Sequence, residues 1–322
     1  MPEAENSVVP NSVVIENLVK QFGNFVAVDR LNLAVRKGEV FGFLGPNGAG
    51  KSTTIRMLCG LLKPSAGRAT VAGFDVTRDP EAVRQNIGYM SQKFSLYNDL
   101  KVIENLRLFA GLYSVPAKQV DERIAWALEM SDLKGRESLV TRTLPGGWKQ
   151  RLALGCAVLH RPPIIFLDEP TSGVDPISRR RFWDLIQQMA QQGVTVFVTT
   201  HYMEEAEYCN RLALIFRGKI VALGTPSELK RDSMRSELLL VECEPLGRAL
   251  EILQSAPGVT DAAVFGSALH LSVEDAAVSA PRIDEFLRQR GLAPGRIEKI
   301  RPTLEDVFVS LTTSSAAEAR TA

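Results

Sequence analysis

GPNGAGKST, residues 45 to 53, decides how the rest of the chain is read. The apolar run VFGFL (40–44) precedes it, and KSTTIRMLCGLL (51–62) follows with helical periodicity that stops near Gly60 and Pro64, so the local order is strand, loop, helix. Glycines let successive backbone N–H groups face inward around the β- and γ-phosphates, and the helix N-terminus adds positive potential. In the pattern Gly45-x4-Gly50-Lys51-Ser52, lysine supplies a point charge and serine a magnesium ligand. The stretch predicts binding of ATP or GTP.

Splitting a nucleotide needs carboxylates as well. IIFLDEP, residues 164 to 170, places four apolar strand residues before Asp168 and Glu169. One carboxylate can hold magnesium and the other can polarise the attacking water, the division of labour phosphoryl transfer requires. A strand ending in a solvated acidic turn gives the same string in isolation; its place downstream of a phosphate loop favours the first reading.

Outward from these motifs, residues 13 to 43 alternate short β-branched runs with turn residues at Gly23 and Gly38, which predicts an antiparallel hairpin region feeding the buried strand. Residues 94 to 160 read as a mostly helical insert, with apolar positions three and four apart in IENLRLFAGLY, DERIAWALEMSDL and WKQRLALGCAVLH. IIFLD, RFWDLIQQMAQQG, VTVFVTT and LALIFRGKIVALG then alternate strands and helices, as a parallel sheet requires. The core is predicted α/β. After residue 231 the order becomes strand, helix, two strands, helix, strand, helix, a small α+β domain of split βαβ type over 232–312. Residues 1–12 and 313–322 read as flexible tails around the main unit, 13–231, and this second domain.

Composition bounds the partners. Hydrophobic residues make up 45% of the 322 positions and charged ones 23%, ample for two packed domains. The 38 Lys and Arg nearly cancel 37 Asp and Glu, so no net field draws the chain to nucleic acid, and no nucleic-acid partner is expected. Cysteines 59, 156, 209 and 243 have no metal or disulfide spacing and read as packed, reduced thiols. No apolar run reaches membrane-spanning length, and the acidic start MPEAENSVVPNS lacks the pattern of a signal peptide.

With LPGGWKQR at 144–151 just upstream of IIFLDEP, residues 13 to 225 resemble the ATP-binding cassette of ABC transporters, whose signature is LSGGQ-like. The resemblance implies a P-loop NTPase cassette with a mixed sheet core, an antiparallel β subdomain and a helical insert. It implies that Phe22 stacks on adenine and that Gly45, Pro46, Asn47, Gly48, Ala49, Gly50, Lys51, Ser52 and Thr53 cradle the phosphates. It makes Gln92 the magnesium- and water-sensing glutamine, Asp168 a magnesium-site acid beside Ser52, Glu169 the general base and His201 the switch histidine at the γ-phosphate. Taken singly, Phe22 could be a core aromatic, Gln92 a surface amide and His201 a helix-start residue; their order supports the sharper reading. SGVD (172–175), ending at Asp175, would cross a dimer interface, and Gly146 and Gly147 would offer N–H groups to the nucleotide of a second subunit, so two cassettes, a homodimer, would close head to tail around two ATP and Mg2+.

The signature departs from the family pattern at Pro145, where serine is customary. Losing the hydroxyl removes one charge-assisted contact to the γ-phosphate, worth roughly 1.5 to 3 kcal/mol, which predicts altered but not abolished hydrolysis. The end RPTLEDVFVSLT (301–312), with the small domain before it, resembles the ATP-binding subunits of ABC-2 type exporters. That resemblance implies a peripheral subunit on the cytoplasmic face of the inner membrane, docking integral permease subunits near Gln92 and the segment Phe94 to Leu100. Two other readings share the motifs: a non-transport ABC ATPase acting on ribosomes or DNA, and a catalytically weak regulatory module.

Overall fold

In the computed structural model, residues 10–92, 96–232 and 236–321 are described, from residue 313 by backbone alone. The chain forms two compact units that part between Leu223 and Gly224, eight residues before the boundary expected from sequence. The helix Pro226–Asp232 goes with the second unit, where it packs on the carboxy-terminal helix. Phe94, and residues 1–9 of the expected amino-terminal tail, lie outside the described residues.

The first unit carries two sheets. Strands β1 (Asn11–Phe22), β2 (Phe25–Arg36), β4 (Ala66–Val71) and β5 (Phe74–Asp75) form an antiparallel sheet in the order β2-β1-β4-β5. Asn11 and Ser12, assigned from sequence to a flexible tail, belong to β1: Asn11 pairs with Arg36 and the Ser12 carbonyl accepts from the Ala72 N–H at 2.8 Å, so neighbouring strands hold the chain beyond the first buried residue, Val13. The second sheet runs β10-β9-β3-β8-β7-β6, made of β3 (Val40–Leu44), β6 (Ile87–Met90), β7 (Ile164–Asp168), β8 (Thr195–Thr200), β9 (Arg211–Phe216) and β10 (Lys219–Gly224). β3 pairs in parallel with β8 and β9, and β7 with β8 and β6.

Every residue of β3, β7 and β8 is buried, which is why these strands read as unbroken apolar runs and not as alternating ones. Phe197 sits at their centre with Phe41, Phe43 and Phe166 each 5.5 Å from it, centroid to centroid. Such rings contribute about 1.5–3 kcal/mol each by burial and roughly 0.5–1.5 per pair by their tilted geometry. The helix Gly146–Val158 is buried on nearly all sides, since Ala153, Leu154 and Val158 face the sheet's core while Leu152 and Cys156 face the cluster inside the helical insert.

The second unit is a four-stranded antiparallel sheet, β11 (Glu237–Cys243), β12 (Val259–Phe265), β13 (Ala268–Val273) and β14 (Pro294–Ile300), in the order β12-β13-β11-β14. With helices Leu246–Leu253 and Ala276–Arg288 on its apolar side it has the expected split βαβ arrangement. RPTLEDVF is a structural staple here: Asp306 accepts from the Thr303 N–H and hydroxyl, capping the last helix, and lies 2.7 Å from His270 Nδ1 on β13. That helix, Leu304–Thr321, continues through most of the segment expected to be a flexible tail; its Ala-, Glu- and Arg-containing end has good helix propensity. All four cysteines are buried and free. Among the described residues no helix is long and apolar enough to cross a membrane.

Candidate active site

Sheet order explains the site. The phosphate loop leaves the carboxyl end of β3, Asp168 ends β7 with Glu169 just after it, and His201 follows β8, which lies between those two strands. Motifs more than a hundred residues apart therefore meet at one edge, the crevice where open α/β sheets bind ligands.

Lys51 opens the helix Lys51–Leu58 and is 4% exposed. Its Nζ donates to the carbonyls of Gly45 (2.7 Å) and Pro46 (3.1 Å) and lies 3.0 Å from Glu169 Oε1. Gly50, at φ +109, caps this helix where an added Cβ would stand 2.6 Å from the Ala27 carbonyl, so only glycine fits. The first amides of the helix have no partner within it and point toward the loop's hollow.

Glu169 is the hub. Its other oxygen, Oε2, accepts from Gln92 Nε2 at 3.1 Å and lies 3.1 Å from His201 Nδ1. The residue adopts φ +47, a left-handed conformation unfavourable for a side chain of this size, and its N–H is fixed by the Thr199 carbonyl (3.1 Å) and hydroxyl (3.0 Å). The turn aims a carboxylate that is only 6% exposed into the cleft.

Asp168 holds the adjacent position. Burial pushes its carboxyl above the usual carboxylate range, while hydrogen bonds from Thr199 Oγ1 (2.8 Å) and Ser52 Oγ (3.0 Å) act against that push by favouring the charged form. The Ser52 hydroxyl and Asp168 carboxylate, with the Gln92 amide nearby, are hard oxygen donors of the kind Mg2+ takes, and the set fits that ion.

A cleft of about 420 Å³ is lined by Phe22, Asn47, Gly48, Gly50, Lys51, Ser52, Thr53, Gln92 and Glu169. Gly45 and Pro46 reach the site through their carbonyls, and Ala49 is buried in the core beneath the loop. Gly146, Gly147 and Asp175 are not among the residues that line this cleft. Gly146 is exposed with open space at its α-carbon, whereas a Cβ on Gly147 would fall 2.6 Å from Ser178 Oγ, so that glycine lets the signature helix pack on the helix Pro176–Gln191. Asp175 caps that second helix, accepting from the Ser178 N–H at 2.9 Å, and this bond holds its carboxyl below the usual range. Pro145 stands at the N-cap and not inside the first turn, its carbonyl accepting from Trp148 and Lys149.

Three features were not read from sequence. Phe25 joins Phe22 as a second, 63% exposed aromatic wall, Thr199 ties the Asp168 carboxylate to the Glu169 backbone N–H, and the Glu205 carboxylate accepts from Thr171 in the 169–175 loop. VFVTT, with hydroxyls at the end of an apolar strand, was the available signal for Thr199.

Comparison with known proteins follows the same lines. The family described as ABC transporter matches residues 28–172, and the C-terminal domain of DrrA1-3-like ATP-binding proteins matches 224–312. The daunorubicin resistance ATP-binding protein DrrA3 of Streptomyces coeruleorubidus is 36% identical over 94% of this chain and 96% of its own length. The chain belongs to the ATP-binding proteins of ABC transporters. A probable multidrug ABC transporter ATP-binding protein, YbhF of Escherichia coli, is 54% identical over 71% of this chain, a match spanning 40% of that longer protein. Among solved structures, cbiO1 of Clostridium perfringens, part of the ABC transporter complex cbiONQ, superposes with a TM-score of 0.64 at 26% identity, covering 69% of this chain and 91% of that one. Family membership accounts for the P-loop cassette core and for the carboxy-terminal unit together.

Proposed function

We propose that this chain is the ATP-hydrolysing subunit of an ABC-2 type exporter, closing as a head-to-tail homodimer around two ATP and driving separate permease subunits. The observation that carries the reading is the convergence on Glu169, within 3.0 Å of Lys51 Nζ and 3.1 Å of both Gln92 Nε2 and His201 Nδ1. In this reading Lys51 and the loop amides bind the β- and γ-phosphates, Phe22 stacks on adenine, and Glu169 Oε2 takes the proton of the attacking water. Gln92 and His201 orient that carboxylate and sense the γ-phosphate. Ser52 and Asp168 hold Mg2+, which when bound neutralises charge on the phosphate oxygens.

The signature face supports a composite site: Gly146 is exposed and free of neighbours, and neither it nor Asp175 turns toward its own chain's cleft. Pro145 supplies no hydroxyl, so the partner's nucleotide meets backbone N–H groups and the helix end alone. The exporter assignment is supported by the DrrA-like carboxy-terminal unit, and in this reading the chain sits peripherally at the cytoplasmic face of the inner membrane. The names of the two relatives, one multidrug and one daunorubicin resistance, make drugs the first cargo class to test.

Steady-state ATPase assays of wild type, Pro145→Ser and Glu169→Gln test the proposal. Wild type turns over, serine raises the rate, and Glu169→Gln lowers it by about 10²–10⁴ while still binding ATP. An inactive wild type revived by Pro145→Ser would instead favour the weak regulatory module.

A further inference from the structure

We infer that Glu205 is a positioning residue that links the switch histidine to the loop expected to cross the dimer interface, an inference that rests on the dimeric ATPase reading above. Glu205 sits in the short turn Met203–Tyr208, just after His201, and is 1% exposed. A carboxylate so buried is costly unless partnered, and its partners lie on other segments. Its Oε1 accepts from the Thr171 hydroxyl at 2.6 Å and stands 3.5 Å from Arg179 Nε, an ion pair longer than a hydrogen bond. Its Oε2 is buried with no hydrogen-bond partner among the described residues, so the carboxylate leans wholly on that one side.

Arg179 extends the link in two directions. Its Nη2 lies 3.5 Å from the Val174 carbonyl, next to Asp175, and its guanidinium stacks 4.2 Å over the Tyr202 ring. Tyr202 in turn packs 4.1 Å from the His201 ring. Contacts thus run from His201 through Tyr202 and Arg179 to Val174, and through Glu205 to Thr171, bracketing the loop 171–175 at both ends. Thr171 and Glu205 at the centre are buried, and the half-buried rings and guanidinium of His201, Tyr202 and Arg179 pack against one another around them, a contiguous set of contacts through which a shift at one end can bias the other. When His201 moves against the γ-phosphate, Glu205 and Arg179 oblige Asp175 to move with it, so each chain reports its own nucleotide to its partner. Thr171, Arg179, Tyr202 and Glu205 are not among the residues that line the cleft, which is why their effect falls on turnover and not on nucleotide affinity.

The test is kcat, KM for ATP and melting temperature for the full chain carrying Thr171→Val, Thr171→Ser or Glu205→Gln. Thr171→Ser keeps the donor and stays within about twofold of wild type, whereas Thr171→Val loses it and lowers kcat about tenfold or more with KM within about twofold. Glu205→Gln, which keeps an acceptor but removes the charge facing Arg179, behaves like the valine variant and decides the matter if that variant does not fold. A valine or glutamine variant with wild-type kcat, or one whose KM rises as kcat falls, overturns the inference while leaving the ATPase reading intact. A wild type without ATP turnover overturns that reading, and this inference with it.

Discussion

At the scale of residues, two buried charges depend on each other. Lys51 and Glu169 are 4% and 6% exposed and 3.0 Å apart, so removing either leaves the other unpaired at a cost of about 3–5 kcal/mol. Lys51→Ala is expected to lose both nucleotide binding and thermal stability, whereas Glu169→Gln, which retains hydrogen-bonding capacity, loses turnover with a smaller shift in melting temperature; calorimetry beside the ATPase assay checks both. His160 sets a pH dependence elsewhere in the cassette. Burial pushes its imidazole down to about 4, although Nε2 meets the Ile87 carbonyl at 3.0 Å. Its neutral form is therefore favoured in the folded chain, while the unfolded chain takes up a proton near pH 6.5. Stability is full above that pH and declines as pH falls from about 6.5 toward 4. Melting curves across that range should fall more steeply for wild type than for His160→Phe. Of the residues themselves, the phosphate loop, Asp168 and Glu169 were legible because they sit in contiguous strings. Thr199 and Glu205 act through the fold, from segments whose neighbours are fixed only by strand order, and no local pattern announces them.

At the scale of elements, β3, β7 and β8 were recognisable as buried strands, but their adjacency was not. β8 lies between β3 and β7, which puts Thr199 where its hydroxyl donates to the Asp168 carboxylate and accepts from the Glu169 N–H. Phe197 holds these strands together, and Phe197→Ala is expected to cost about 3–5 kcal/mol, measured by denaturant unfolding. Smaller changes act on the signature helix. Gly147→Ala forces a methyl group against Ser178, displacing the helix that carries Gly146. Turnover should fall in Gly147→Ala with nucleotide affinity of the isolated chain unchanged, and pairing it with Ser178→Gly should restore part of the loss. The helix Gly146–Val158 looked amphipathic in sequence and proves buried nearly all round, because apolar neighbours on the core and the insert enclose it from both sides. At the ends, local propensity extended the last helix and strand pairing absorbed Asn11 and Ser12, effects that composition alone does not reveal.

At the scale of the whole molecule, the cleft of one chain collects Phe22, the phosphate loop, Gln92 and Glu169, while Gly146 and Asp175 lie outside it. That division is the observation on which the proposed site shared between two chains rests. The most direct test is ATP turnover per chain measured across protein concentration, with Glu169→Gln as the control. The account predicts that specific activity rises with concentration as dimers form and vanishes in the control; a specific activity independent of concentration, or one that survives Glu169→Gln, would contradict it.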